Sequence, residues 1–191
     1  MKNNAKKEEN QSHNTQMYLR FGAMILTAMA VMHALMFMSA WEWSHVRWSE
    51  SRVFMTLAMG GSMGVVMLGW MLNMYQNQKI NMLIFAASIL LLAGAVYLDR
   101  SQTTVQDTSF MSAMIPHHSM AITRSERAEI MDQRVCELAV EISEAQRREI
   151  LEMEWLIEDI KENGLATTIA AAEARSVPYF EVSAERLCRT D

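Results

Sequence analysis

The densest set of potential ligands in this chain is the run Phe110-Met111-Ser112-Ala113-Met114-Ile115-Pro116-His117-His118-Ser119-Met120. Thioether sulfur and imidazole nitrogen are soft to intermediate donors. Together they favour Cu(I), and its chemical relative Ag(I), over Mg²⁺ or Ca²⁺, which take oxygen. Thioethers need no deprotonation, so they hold copper where protons compete for thiolates. On a helix, with Met111 set at zero, Met114 falls at about 300°, His118 at about 340° and His117 at about 240°. Met111, Met114 and His118 therefore share a face. Pro116 lies inside this helix, where its ring and missing N–H free the carbonyl of Ser112 and bend the axis under the His pair. The plainer alternative makes the methionines gap-fillers of a core and gives the His pair local hydrogen bonds.

These donors need a neighbouring element to converge on, and the sequence supplies one. Asp107 suits the N-cap of a helix running to about residue 129, and Asp132 suits that of a second helix running to Lys161 and closed by Asn163-Gly164. Val135, Leu138, Ala139, Ile142, Ala145, Glu149, Met153, Leu156 and Ile160 recur at three- and four-residue steps, which gives one packing face with a polar interruption. The short connection at Ile130 and Met131 forces an antiparallel helical hairpin. With the turn centred there, Met111 faces residues 151–153 and Met114 faces Arg148 and Glu149. The expected metal set is thus His117 and His118 for nitrogen and Met111, Met114 and Met153 for sulfur, with Glu149 as a weak or outlying oxygen ligand. Two helices make a thin core, so a dimer completing a four-helix bundle is expected, with help from a tail helix over residues 165–175. Past Pro178 no pattern recurs, and a mobile tail is expected.

Composition divides the chain in two. Residues 1–98 carry 7 Lys and Arg against 4 Asp and Glu, a net of +3, whereas residues 99–191 carry 10 against 18, a net of −8. The acidic half would repel phosphate, which argues against a nucleic-acid partner. With 7 Gly, 2 Pro and no alternating β-branched runs, neither a sheet nor a Gly-rich phosphate loop is present in the pattern. The 19 methionines stand far above ordinary usage and require an explanation.

Residues 18–40, 53–75 and 80–98 are long enough, at about 1.5 Å of rise per residue, to cross the roughly 30 Å hydrocarbon layer, and read as three membrane helices. Trp41, Trp43 and Trp48 crowd the first connection, where amphipathic rings favour the headgroup level. Lys2, Lys6, Lys7, Arg20 and Lys79 on one side outnumber Arg47, Arg52 and Arg100 on the other, which predicts a cytoplasmic N-terminus and an external C-terminal half. The organisation expected is an N-terminal tail (1–17), a membrane domain (18–98), a linker (99–106), the metal-binding hairpin (107–164) and a C-terminal helix and tail (165–191).

Within the first span Met29, Met32, His33 and Met36 fall in an arc of about 100°, and an ionisable group inside a membrane is a functional candidate. His33, Met29 and Met36 are accordingly candidates for a metal relay through the spans. Gly60 and Gly64 read as a close-packing pair, and the row Met55, Met59, Met63, Met67 and Met71 as flexible apolar filling. Glu42-Trp43-Ser44-His45 has the carboxylate–histidine spacing of di-metal bundles, but in a single copy, which disfavours an oxidase. Cys136 and Cys188 would meet an oxidising compartment and could pair within or between chains.

The run Phe110, Met114-Ile115-Pro116-His117-His118, Ala121-Ile122, followed by Asp132, Leu138-Ala139, Ile142, Gln146, Glu149-Ile150, Met153 and Trp155-Leu156, resembles the family called domain of unknown function 305. That family includes the CopM-like bacterial copper-binding proteins. The resemblance covers roughly residues 107–160. It implies a ferritin-like helical bundle in the periplasm that binds copper or silver and supports metal tolerance, with His117, His118, Met114 and Met153 in the matching positions. This chain has Arg124 where relatives often carry Met, and Met120 where a small residue is common.

The sequence thus predicts an all-α protein of the bacterial inner membrane: three spans followed by a periplasmic hairpin, a half-bundle completed by dimerisation. Its expected task is to bind Cu(I) or Ag(I) for sequestration or hand-off to a copper-handling partner, without catalysis. The rivals are a structural module for assembly of a membrane complex and, third, a metal-dependent redox enzyme.

Overall fold

The computed structural model describes residues 2–186 and 188, with side chains from His13 onward. Met1, Leu187 and residues 189–191 lie outside the described residues, as do the side chains of Lys2, Lys6 and Lys7 on which the orientation count partly rests. Among the described residues the fold is all-α, as the sequence predicts: α1 (Lys2–Leu35), α2 (Glu50–Trp70), α3 (Gln78–Ser101), α4 (Asp107–Arg127), α5 (Gln133–Asn163) and the short α6 (Ile169–Ala174), plus one 3-10 turn at Trp43–His45. The chain forms two compact units. One holds α1, α2 and α3, and the other joins the connection 37–50 to α4, α5, α6 and the tail.

In the first unit His13–Leu35, Glu50–Trp70 and Gln78–Ser101 are each long and apolar enough to cross a membrane. Small residues let these helices approach closely, because without a hydrophobic drive inside lipid the packing itself must supply the attraction. A Cβ at Gly60 would lie 2.3 Å from the Met29 sulfur, one at Gly64 would lie 2.3 Å from Ser88 Oγ, and one at Gly61 would lie 2.7 Å from the Ser88 carbonyl. α2 thus sets glycines against both α1 and α3. At one end Phe21, Leu68 and Tyr75 are buried, with Met67 and Met71 packed on them. Tyr18 donates to Asn81 Oδ1 (2.7 Å) and Asn81 donates to the Tyr75 carbonyl (2.6 Å).

Two expectations about the first span need correction. The helix reaches Leu35, not residue 40, so His33 lies in its last turn. It also begins at Lys2, so the N-terminal tail continues the span helix. Chain ends beyond Leu35 are managed by side chains: Arg52 is buried and donates to the Met36 carbonyl at 2.6 Å, and a helix C-terminus leaves such carbonyls without intrahelical donors.

In the second unit α4 and α5 form the predicted antiparallel hairpin. Asp132 caps α5 by accepting from the Arg134 N–H (2.9 Å), and Gly164 closes it with φ +75°, a backbone conformation that favours glycine. The N-cap of α4 is Gln106, one residue before the predicted Asp107. Tail helix α6 is shorter than expected. Met111, Ile115, Ile122, Ile150 and Met153 make the hairpin's apolar core, with Trp41, Met114, Leu156, Ile157 and Ile160 packed on it.

The predicted packing face of α5 is split. Cys136, Ala139, Ser143, Ile150 and Met153 are buried, whereas Val135, Leu138 and Ile142, one residue earlier at each step, stay exposed at 47%, 53% and 38%. Hydropathy marks both stripes as apolar and cannot say which meets α4.

Candidate functional site

Helix α4 turns His118 toward α5. Its Nδ1 lies 2.9 Å from the Met114 carbonyl and its Nε2 lies 2.6 Å from Glu149 Oε2. A carbonyl only accepts, so Nδ1–H is the donor, and Nε2 is the nitrogen left to face Glu149. The pair crosses from a side chain that is only 10% exposed to one that is 48% exposed, so it marks the rim of the hairpin core. A backbone-anchored Nδ1–H is the arrangement that orients an imidazole as a metal ligand.

The structure gathers Met111, Met114 and Met153 into the one apolar cluster between the helices. His118 and Glu149 meet across the hairpin. His117 does not join them: it is exposed, and its described contact is an edge-on approach to the His118 ring at 6.2 Å between centroids. Among the described residues no three His, Cys, Asp or Glu converge as a metal cluster, so a site here depends on the thioethers. Their sulfurs are soft donors in a dry surround, which suits a monovalent soft ion and no hard one.

In the membrane-type unit the candidates Met29, His33 and Met36 all face α2. Met29 packs on Gly60, His33 Nδ1 lies 2.8 Å from Thr56 Oγ1, and the Met36 sulfur lies 3.9 Å from the same oxygen. The three thus share one helix–helix seam.

Several features were invisible in the sequence. The connection 37–50 lies on the hairpin. Trp41 packs on its core with the guanidinium groups of Arg127 and Arg147 5.2 and 5.1 Å from its ring, while Trp43 and Trp48 remain exposed. Fully buried Ser119 Oγ accepts from the Trp41 N–H (2.7 Å) and lies 2.9 Å from His45 Nδ1, and Arg47 pairs with Glu154 at 2.8 Å. A cavity of about 380 Å³ opens between this connection, the hairpin and the tail; Glu42, His45, Arg147, Glu154 and Val182 line it.

The tail is tied down, against expectation. Cys188 is disulfide-bonded to Cys136, with Cα atoms 5.8 Å apart. Arg186 donates to the carbonyls of Ser125 (2.7 Å), Glu126 (3.1 Å) and Ala128, which caps the C-terminus of α4. Glu126, whose side chain is 3% exposed, accepts from Ser143, from Arg147 at 3.3 Å and from the N–H groups of Glu185 (3.0 Å) and Arg186 (2.6 Å). Burial alone would raise its pKa, but these donors together outweigh that and hold the carboxyl below the usual glutamate range. The even cysteine count was the one sequence signal for this strap.

The hairpin consequently has two unlike sides. Ser119, Glu126, Arg127, Glu144 and Arg147 meet the connection and the tail on one. On the other, at the opposite rim of both helices, stand Phe110 (54% exposed), His117, Glu149 and the Val135, Leu138, Ile142 stripe.

These features define a class: a protein with three helices able to span a membrane, joined to a strapped helical hairpin. A model of the family described as "Domain of unknown function (DUF305)" matches residues 97–178, from the end of α3 to Pro178. The chain is also 36% identical over 108 residues to "Uncharacterized protein L153" of Acanthamoeba polyphaga mimivirus, covering 52% of this chain and 70% of that protein. The chain belongs to the DUF305 family. No solved structure matches it.

Proposed function

We propose that this protein is a membrane-anchored Cu(I)- or Ag(I)-binding protein of the CopM-like kind, which sequesters the ion or hands it to a copper-handling partner. The reading places it in a bacterial inner membrane with the hairpin on the periplasmic side. The observation that carries it is that the hairpin that gathers Met111, Met114 and Met153 in its core also brings His118 to Glu149. The Met114 carbonyl holds Nδ1, which leaves Nε2 to meet Glu149 across the hairpin whose core contains the three thioethers. The incoming ion is cargo: it takes Nε2, in place of the Glu149 contact, and thioether sulfur. His117, exposed one residue away, suits the first capture or the release step.

A second reading rests on a specific observation too. Met111 and Met153 are buried among Ile115, Ile122 and Ile150, as gap-filling core residues would be, and His118–Glu149 would then be a polar rim feature of a structural module.

Titration of the full chain in detergent with Cu(I), against a chromogenic competitor, separates the two. Metal cargo predicts stoichiometric binding that tightens as pH rises, since a proton is released. His118→Ala should weaken it at least about tenfold, the size expected when one ligand of a small set is lost. Weak binding that neither His118→Ala nor Met111→Leu with Met153→Leu alters leaves the structural module. Metal-dependent oxygen consumption would instead favour the redox enzyme.

A further inference from the structure

We propose that the seam between α1 and α2 holds a second site for a monovalent soft ion, with His33 Nδ1 and the Met36 sulfur as its ligands and Met29 as the next thioether along. The site does not rest on the hairpin reading.

These side chains share an arc in the sequence, and in the fold they share a target. The Met36 N–H donates to the Met32 carbonyl (3.1 Å), so the helical turn runs on past Leu35 and keeps Met36 on the face of His33. His33 Nδ1 lies 2.8 Å and the Met36 sulfur 3.9 Å from one oxygen, Thr56 Oγ1. Thr56 is buried, and its hydroxyl donates to the Arg52 carbonyl at 2.8 Å. That bond within α2 gives the hydroxyl proton an acceptor without help from α1. Nitrogen and sulfur thus converge on an oxygen that needs neither of them.

An ion seated between the two takes Nδ1 in place of the hydroxyl. In a neutral imidazole either nitrogen can carry the proton, and the bound state uses the tautomer with its lone pair on Nδ1. Met36 closes the remaining gap by turning about its side-chain bonds, which are unbranched and freely rotating. His33 lies in the last turn of its span, so an ion arriving from the water side meets it without passing the apolar stretch.

Gly60 extends the row. It stands one turn beyond Thr56 on α2, as Met29 stands one turn before His33 on α1, and the Met29 thioether fills the room a side chain would take: a Cβ there would lie 2.3 Å from its sulfur. Glycine at this position keeps a thioether inside the seam, one rung from the imidazole, where a larger residue would expel it.

The donor set selects the ion. An imidazole and thioethers are soft to intermediate ligands that suit Cu(I) and Ag(I), and they bring no negative charge to compensate a divalent cation for its lost hydration. Arg52 acts in the same direction. Its guanidinium donates to the Met36 carbonyl at 2.6 Å, and it repels an arriving cation in proportion to that cation's charge.

The test titrates the full chain in detergent with Cu(I), against a chromogenic competitor, in a background carrying His118→Ala, Met111→Leu and Met153→Leu to remove the hairpin's donors. A single equivalent should still bind, and an equal concentration of Zn(II) should not displace it. Adding Met36→Leu should weaken binding at least about tenfold. Leu fills nearly the volume of Met, so the seam keeps its packing. His33→Ala should act at least as strongly, and Met29→Leu less. X-ray absorption of the copper-loaded background chain should report nitrogen and sulfur around the metal, a signature that needs no substitution in the seam and so decides the matter if a seam variant misfolds. A background chain that binds no copper, although the unaltered chain does, would overturn this site and leave the hairpin reading standing. Binding that neither Met36→Leu nor His33→Ala moves, displacement by Zn(II), or a copper shell without sulfur would each overturn it too. Binding unmoved by the hairpin substitutions yet lost with Met36→Leu would uphold this site and overturn the hairpin reading.

Discussion

The two sides of the hairpin are made by the same pair of helices and held in opposite ways. On the closed side every charged group of consequence has partners from distant sequence: Glu126 has four donors, Arg186 fills the end of α4, Arg47 reaches Glu154, and a disulfide fastens the strap. On the open side the His118–Glu149 contact ends on a carboxylate that is 48% exposed. Polar groups that are buried demand complete hydrogen bonding and become rigid. Those at a rim can exchange partners. The difference places structural strength on one side and the capacity to take up a ligand on the other.

Breaking the closed side should cost most where the strap is covalent. The disulfide closes a loop 52 residues apart in sequence, so Cys188→Ser should lower the stability of the hairpin unit by about 4 kcal/mol on the chain-entropy argument. Chemical denaturation of the full chain, monitored with hydrogen exchange, should show amides 184–186 losing protection. Next is Trp41→Ala, which removes a large ring from the core edge and the cation contacts of Arg127 and Arg147; a loss of about 3 kcal/mol is expected in the same assay.

Glu126→Gln should cost about 1–3 kcal/mol, since its charge-assisted bonds become ordinary ones. Its folded pKa is depressed, so its contribution is complete at pH values above the range where an unfolded glutamate titrates, and is lost as pH falls through the lower folded value. Acid should therefore loosen residues 185 and 186 within the disulfide-closed strap, read as faster amide exchange at those two positions, corrected for intrinsic rates, as pH falls. The smallest effect belongs to the open side: Glu149→Gln should change stability by less than about 1 kcal/mol because solvent screens the half-exposed pair. If Glu149→Gln instead rivals Glu126→Gln, the contrast between the two sides fails.

Methionine shows how the same residue can be legible in one place and not another. Met111, Met114 and Met153 were placed together from helical spacing and the position of the turn, and they do share one cluster. The short connection left no other way for the helices to pair. Met29 and Met36 were grouped correctly by spacing, but what they face, Gly60 and Thr56, depends on which side of α2 approaches α1. His117 and His118 look equivalent in the chain. Their 100° separation sends one inward to Glu149 and the other outward, and only the inner one has a partner from α5.

The three tryptophans of the connection 37–50 imply a membrane-interface segment and, by type alone, nothing more specific. Trp41 acquires its role from Arg127 and Arg147, which are far away in sequence. Likewise the tail lacks periodicity because it makes no regular element. Its order comes from backbone N–H groups meeting Glu126, and a backbone donor leaves no trace in residue type.

What the amino-acid sequence settles by itself is everything that local periodicity and solvent preference control. Three apolar runs, two capped helices and a turn too short for any other pairing are consequences of hydrophobic spacing, missing N–H groups and chain reach. What required the folded chain is the choice among equally apolar faces, and the partners of buried charge. Those depend on contacts between residues tens of positions apart, whose energies are set by mutual distance and dehydration, and neither quantity exists until the chain has closed on itself.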